Sequence, residues 1–263
     1  MPDASYTSVE LMTIAASRML KNGCVCFVGI GMPSAAANLA RLTHAPDVVL
    51  IYESGTIGTK PDVLPLSIGD GELAETSDTV VSVPEIFRYW LQGGRVDVGF
   101  LGAAQIDKFG NINTTVIGGT YEKPKVRLPG AGGAPEIATS AKEVCIIAKH
   151  SPRSFVEKLD FVTSSGFVDN PPRDGVPGSK GRGPTTVISD LGVMVSDPQT
   201  RELVLTTLHP GVTVEQVKQA TGWTLRVADN VNVTAALTSN ELQLLRDLQA
   251  RTAAAHGGLT GGE

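Results

Sequence analysis

Among the side chains of this sequence that could do chemistry, Glu53 stands first. It follows the apolar run Val48-Val49-Leu50-Ile51 and lies in the segment Tyr52-Glu53-Ser54-Gly55. A carboxylate leaving a buried strand for a glycine turn is held by the scaffold and open to a ligand, the placement of active-site residues in many α/β sheets. For an isolated Glu, a solvated strand end is the plainer account; the glycine-rich segments elsewhere weigh against it. The segment Leu128-Pro129-Gly130-Ala131-Gly132-Gly133-Ala134-Pro135-Glu136 leaves backbone amides uncovered and could form a concave row of N–H donors for an oxyanion or phosphate. A surface loop fits the same composition. The segment matches neither a dinucleotide fingerprint nor a phosphate-binding Lys-Ser/Thr loop.

Two further constellations belong with these. Gly29-Ile30-Gly31 occupies a strand-to-helix turn, where glycines permit close packing but where open α/β sheets also bind ligands. Gly102-Ala103-Ala104-Gln105, with Asp107, Gly110, Asn111 and Asn113, places an amide after a buried strand. Gln105 either directs its N–H groups at a substrate carboxylate or is a satisfied turn amide. The histidines His44, His150, His209 and His256 have no metal-ligand spacing and read as surface or turn residues. Ser54 has no evident base, and no Gly-x-Ser-x-Gly elbow is present. Trp90 and Trp223 read as core or interface anchors.

The elements that must position these residues alternate along the chain. A helix is expected over 8–21, with Thr7 and Glu10 at capping-box spacing. Strands follow at 25–29 and 48–52, separated by a helix that Pro33 opens. Residues 55–83 read as irregular, with Gly69-Asp70-Gly71-Glu72 as a turn. A helix over 85–91, strands at 96–101, 144–148, 187–189 and 203–207, and a hairpin turn at 107–111 leading into 112–116 complete the pattern. The expected fold is α/β, a mainly parallel sheet flanked by helices. One domain over 1–250 is anticipated, with an exposed excursion at 169–184, a helix beginning near Glu241 and a frayed tail over 251–263.

Composition narrows the function classes. In 263 residues, 41% hydrophobic, the net charge is -5 and the sequence shows no basic run, so no nucleic-acid or anionic-membrane footprint is expected. Cys24, Cys26 and Cys145 lie in apolar strand-like runs and read as buried free thiols of a reducing compartment, without a metal site. No run reaches the roughly 18 apolar residues a membrane span needs, so a soluble, cytoplasmic protein is expected.

Taken together, Gly29-Ile30-Gly31-Met32-Pro33, Glu53-Ser54-Gly55, the Gly102 to Asn113 segment and Gly130-Ala131-Gly132-Gly133-Ala134 resemble the β subunits of family I CoA-transferases over nearly the whole chain. The similarity is greatest to the 3-oxoadipate and glutaconate branch. The resemblance implies a CoA-transferase-type (NagB/RpiA-like) architecture and a ping-pong transfer of CoA between carboxylic acids, with a CoA thioester as substrate and no cofactor. It implies Glu53 as nucleophile, Gly130, Gly132, Gly133 and Gly31 as oxyanion and CoA contacts, and Gln105, Asn113 and Ser54 as substrate contacts. A separate α subunit would complete the site. A non-catalytic CoA-ester-binding module and a sugar-phosphate isomerase are the competing readings; for the latter the sequence offers no phosphate-gripping Lys near the glycine turns.

Overall fold

A computed structural model describes residues 5–166 and 183–257. The chain divides into two compact units, one of residues 1–86 with 235–263, the other of residues 87–234.

In the first unit, α1 (Ser8–Ser17) begins where the sequence places it. Thr7 Oγ1 accepts from the Glu10 N–H at 3.2 Å, and Glu10 Oε2 accepts from the Thr7 N–H at 2.7 Å. The parallel pair β1 (Val25–Phe27) and β2 (Val49–Ile51) follows, connected by α2 (Met32–Leu42), which Pro33 opens. Val25 lies opposite Val49 and Phe27 opposite Ile51. Two short antiparallel strands, β3 (Thr56–Ile57) and β4 (Thr79–Val80), extend the sheet in the order β1-β2-β3-β4. The turn expected at 69–72 is instead the start of α3 (Gly71–Glu75): Asp70 caps it by accepting from the Glu72 N–H, the side-chain chemistry of a helix start. The C-terminal helix (Ser239–Ala255) closes this unit, packing Leu242 and Leu245 with Ile14, Ala35 and Leu39. Its Glu241 receives both Nε and an Nη of Arg18 at 2.7 Å each, a bidentate pair. Residues 251–255, expected in the tail, are helical; 258–263 lie outside the described residues.

The chain passes from α4 (Val83–Glu85) into a π-helical segment, Ile86–Leu91, rather than the regular helix expected over 85–91. Five-residue hydrogen bonds mark the change, with the Gln92 N–H donating to the Phe87 carbonyl and the Arg95 N–H to that of Trp90.

The second unit opens with β5 (Val98–Gly102) and the small hairpin of β6 (Gln105–Ile106) and β7 (Ile112–Asn113), turning over 107–111 as expected. Another hairpin, β8 (Val116–Gly119) and β9 (Pro124–Arg127), leads to the glycine segment and α5 (Ala134–Ser140). The sheet of this unit then runs through β10 (Glu143–Ile147), β11 (Pro184–Ile188), β12 (Gly192–Ser196) and β13 (Leu203–Leu208). After α6 (Val214–Gln219) comes β14 (Arg226–Val233). The order is β14-β13-β12-β11-β10-β5. β10 runs parallel to both β5 and β11; β5 and the body of β10 are apolar and buried, as strands covered on both faces must be, whereas β11 carries the half-buried Thr185 and Thr186. Most of the excursion expected at 169–184 lies outside the described residues; its last residue, Pro184, opens β11.

Two of the histidines depart from the surface role expected of them. His150 and His209 are buried, at 6% and 1% exposure. Thr221 Oγ1 gives its hydrogen to the Val217 carbonyl and therefore accepts from His150 Nε2, while Nδ1 lies 3.0 Å from Ser189 Oγ. The His150 ring stacks on Phe155 at 3.6 Å between centroids. His209 Nε2 donates to the Ser189 carbonyl at 2.7 Å. Of the cysteines, Cys26 and Cys145 are buried and Cys24 is half-buried, and none of the three is in a disulfide.

Candidate active site

Glu53 and Ser54 form the tip of the turn between β2 and β3, in the first unit. The Gly55 N–H donates to the Tyr52 carbonyl at 3.0 Å, which closes a four-residue turn. Gly55 takes φ +95°, and a Cβ there would meet the Val81 carbonyl oxygen at 2.0 Å. Only glycine fits, because Val81, just after β4, runs against the turn and its N–H donates to the Gly55 carbonyl. Glu53 and Ser54 are half-buried, between the buried Ile51 and Tyr52 on one side and the buried Gly55 and Thr56 on the other.

Behind Glu53, Tyr52 is wholly buried, with its hydroxyl 2.8 Å from Ser34 Oγ on α2. Burial pushes the Tyr52 phenol up to about 12. Asn38 in turn donates to the Ser34 carbonyl at 3.0 Å. Sequence reasoning missed this support: neither Ser34 nor Asn38 belongs to a motif, and the one available signal is polar residues on the inward face of a helix with Ala35, Ala36 and Leu39. The Gly29 to Gly31 turn leaves the carboxyl end of β1, next to β2 in parallel register, so it and Glu53 share one edge of this unit's sheet. Gly31 is the exposed N-cap residue of α2 at φ +83°. Ser54 Oγ lies 3.5 Å from Thr56 Oγ1.

The other glycine segment belongs to the second unit. Gly130 and Gly132 have φ of +105° and +50°, a loop that residues with side chains would strain. The Gly130 N–H donates to the Thr114 carbonyl at 2.8 Å and the Gly130 carbonyl accepts from Thr114 Oγ1 at 2.7 Å. Its amide is therefore committed to the framework and is not a donor for a ligand, contrary to expectation. Gly132 is exposed and its N–H has no partner among the described residues. Gly133 is buried at the head of α5.

Gln105 and Asn113, expected as substrate contacts, are instead both buried and bonded to one another. Asn113 Nδ2 donates to Gln105 Oε1 at 2.8 Å and to the Val116 carbonyl, while its Oδ1 accepts from the Thr115 and Val116 N–H groups. Gln105 Nε2 donates to Asp160 at 2.8 Å. These amides fix the β6–β7 hairpin, and Thr114, next along the chain, ties that hairpin to Gly130. Asp107 sets the turn by accepting from Phe109 and Asn111; burial raises its carboxyl above the usual range against those bonds.

The coenzyme A transferase family model matches residues 9–220. This chain belongs to the coenzyme A transferase family. It is 66% identical over 254 residues to a 3-oxoadipate CoA-transferase subunit of Pseudomonas knackmussii, covering 97% of each chain. To a glutaconate CoA-transferase subunit of Acidaminococcus fermentans it is 36% identical over 239 residues, 88% of each. The solved glutaconate coenzyme A-transferase of the same organism superposes with a TM-score of 0.84 at 32% identity, covering 92% of this chain and 94% of that one.

Proposed function

We propose that this chain is the catalytic β subunit of a 3-oxoadipate CoA-transferase, working in the cytoplasm with an α subunit and moving CoA from succinyl-CoA to 3-oxoadipate. The 66% identity to the Pseudomonas protein supports the substrate, and that relative, being one subunit of its enzyme, supports the partner. The observation that carries the reading is Glu53 at the tip of a glycine-locked turn, at the carboxyl edge of two parallel strands.

In this reading a Glu53 carboxylate oxygen attacks the thioester carbonyl and the C–S bond breaks, leaving an acyl-glutamyl anhydride and CoA thiolate. The thiolate then attacks the Glu53 carbonyl carbon, releases succinate and leaves a glutamyl-CoA thioester. A 3-oxoadipate carboxylate takes the acyl-transfer path in reverse and departs as its CoA thioester, restoring Glu53. The reaction needs no cofactor beyond the thioester it acts on. The tetrahedral oxyanions call for backbone N–H donors, the type of contact that lowers such barriers by several kcal/mol, and the exposed Gly132 N–H is a group of that type. Gly31 and Ser54, at the edge that Glu53 occupies, are proposed contacts for the substrate chain.

The assembled two-subunit enzyme, incubated with succinyl-CoA and reduced with borohydride, will yield a Glu53 peptide altered at that residue in mass spectrometry. An unmodified Glu53 under turnover overturns the covalent mechanism. Glu53→Gln will lower kcat by at least about a thousandfold. A panel of dicarboxylic acids tests the acceptor: preference for glutaconate over 3-oxoadipate would move the enzyme to the branch of its Acidaminococcus relative.

A further inference from the structure

Tyr52, the residue before Glu53, commits all three of its hydrogen-bonding groups to the turn. Its N–H donates to the Thr56 carbonyl at 3.2 Å, its carbonyl accepts from the Gly55 N–H at 3.0 Å, and its hydroxyl lies 2.8 Å from Ser34 Oγ. The backbone pair closes the turn on itself, and the hydroxyl ties it to α2. Ser34, Asn38 and Arg41 are spaced four and three apart, so they line one face of that helix, a polar stripe on an element buried from Pro33 to Ala40. Asn38 donates to the Ser34 carbonyl at 3.0 Å and accepts from Arg41 Nε at 3.4 Å, and an Arg41 Nη donates to the Pro61 carbonyl at 2.9 Å. Pro61 follows β3, the strand into which the turn leads. One face of α2 thus grips the chain before Glu53 through Tyr52 and after it through Pro61, a closed circuit of bonds around the turn.

We infer that Ser34 is a positioning residue for the nucleophile, acting through the Tyr52 hydroxyl to set the direction in which Glu53 attacks, an inference that rests on the CoA-transferase reading. A bond between two buried hydroxyls adds little to stability, because an apolar pair of the same shape serves nearly as well. Its effect is geometric. The Tyr52 ring is fixed at one end by the turn and at the other by α2, so the bond directs the backbone from which the Glu53 side chain departs. Burial pushes the Tyr52 phenol up to about 12, so the hydroxyl keeps its hydrogen, and the bond persists, to well above neutral pH. Without the bond the far end of the ring is held by packing alone. A displacement well under 1 Å at the attacking oxygen then slows the chemical step without weakening the hold on substrate.

The test uses the assembled complex and three variants, Tyr52→Phe, Ser34→Ala and the two combined. In a single turnover with succinyl-CoA, the rate constant for forming the thioester at Glu53 will fall roughly tenfold in each single variant. It will fall by the same factor in the double variant, because both substitutions remove one bond. The KM for succinyl-CoA and the melting temperature of the double variant will match those of the parent. Equal rates in parent and variants, losses that multiply in the double variant, or losses that follow the melting temperature overturn the assignment. Amide exchange at Gly55, whose N–H donates to the Tyr52 carbonyl, reads the turn without turnover and will be faster in all three variants. Faster exchange in the variants of a complex whose Glu53 is not modified by succinyl-CoA would sustain the anchor and overturn the functional reading. Modification of Glu53 at the parent's rate in variants with unchanged exchange would do the reverse.

Discussion

The side chain of Glu53 is useful only as far as its turn holds it, and that turn depends on residues with no chemistry of their own. Gly55→Ala places a methyl group against the Val81 carbonyl and forces a strained φ, so it will cost at least about 2 kcal/mol of stability. Thermal unfolding of the variant measures this. Glu53→Asp keeps the carboxylate but withdraws it by one methylene; a misplacement of about 1 Å lowers kcat on the order of a hundredfold, with melting temperature unchanged. Single-turnover kinetics against unfolding data separates the two effects. Glu53 is legible in the sequence because an apolar run ends at it and a glycine follows. Its support from Tyr52 and Ser34 is not, because a hydrogen bond between residues 18 apart arises only once α2 packs on β2. The commitment of the Gly130 amide to Thr114 is hidden for a related reason: composition marks a glycine segment without telling which of its amides the framework occupies.

At the scale of elements, hydrophobic runs locate β1, β2, β5 and β10 to within a few residues, since strands buried on both faces leave an unbroken apolar signature. The edge strand β14 and the β8–β9 hairpin escape. β14 is mostly exposed and carries Asp229, Asn230 and Asn232, and β8 and β9 are interrupted by glycines and lysines, so neither pattern alternates clearly. The capping box of α1 is readable because it is local; α3 is not, because its cap, Asp70, is flanked by glycines that also signal a turn. The β6–β7 hairpin supplies the sharpest test of framework against contact. Asn113→Ala removes four hydrogen bonds from a wholly buried site and will cost about 2–4 kcal/mol of stability. If Asn113 instead touched substrate, urea unfolding would be unchanged and the KM for the acid would rise.

For the molecule as a whole, His150 and His209 make stability depend on acid. Burial lowers His150 from 6.5 to about 4, with Asp190 opposing, and lowers His209 in the same direction for the same reason. A histidine depressed in the folded state binds its proton more readily when unfolded, so its stabilisation is complete above pH 6.5 and is lost as pH falls toward 4. His150 alone will account for at most about 3 kcal/mol across that window. Denaturant melts at about pH 7 and about pH 4.5, with His150→Gln as reference, measure it. A variant that loses as much stability on acidification as the parent would remove His150 from the explanation.

The closure of the first unit by the C-terminal helix sets an order of events during synthesis. Ile14, Ala35 and Leu39 emerge from the ribosome long before Leu242 and Leu245, the residues that cover them, and Arg18 waits equally long for Glu241. Residues 87–234, a compact unit in their own right, are complete before that cover exists. The unit that bears Glu53 thus matures after residues 87–234, and Glu53 gains its finished surroundings only once translation has passed Ala255.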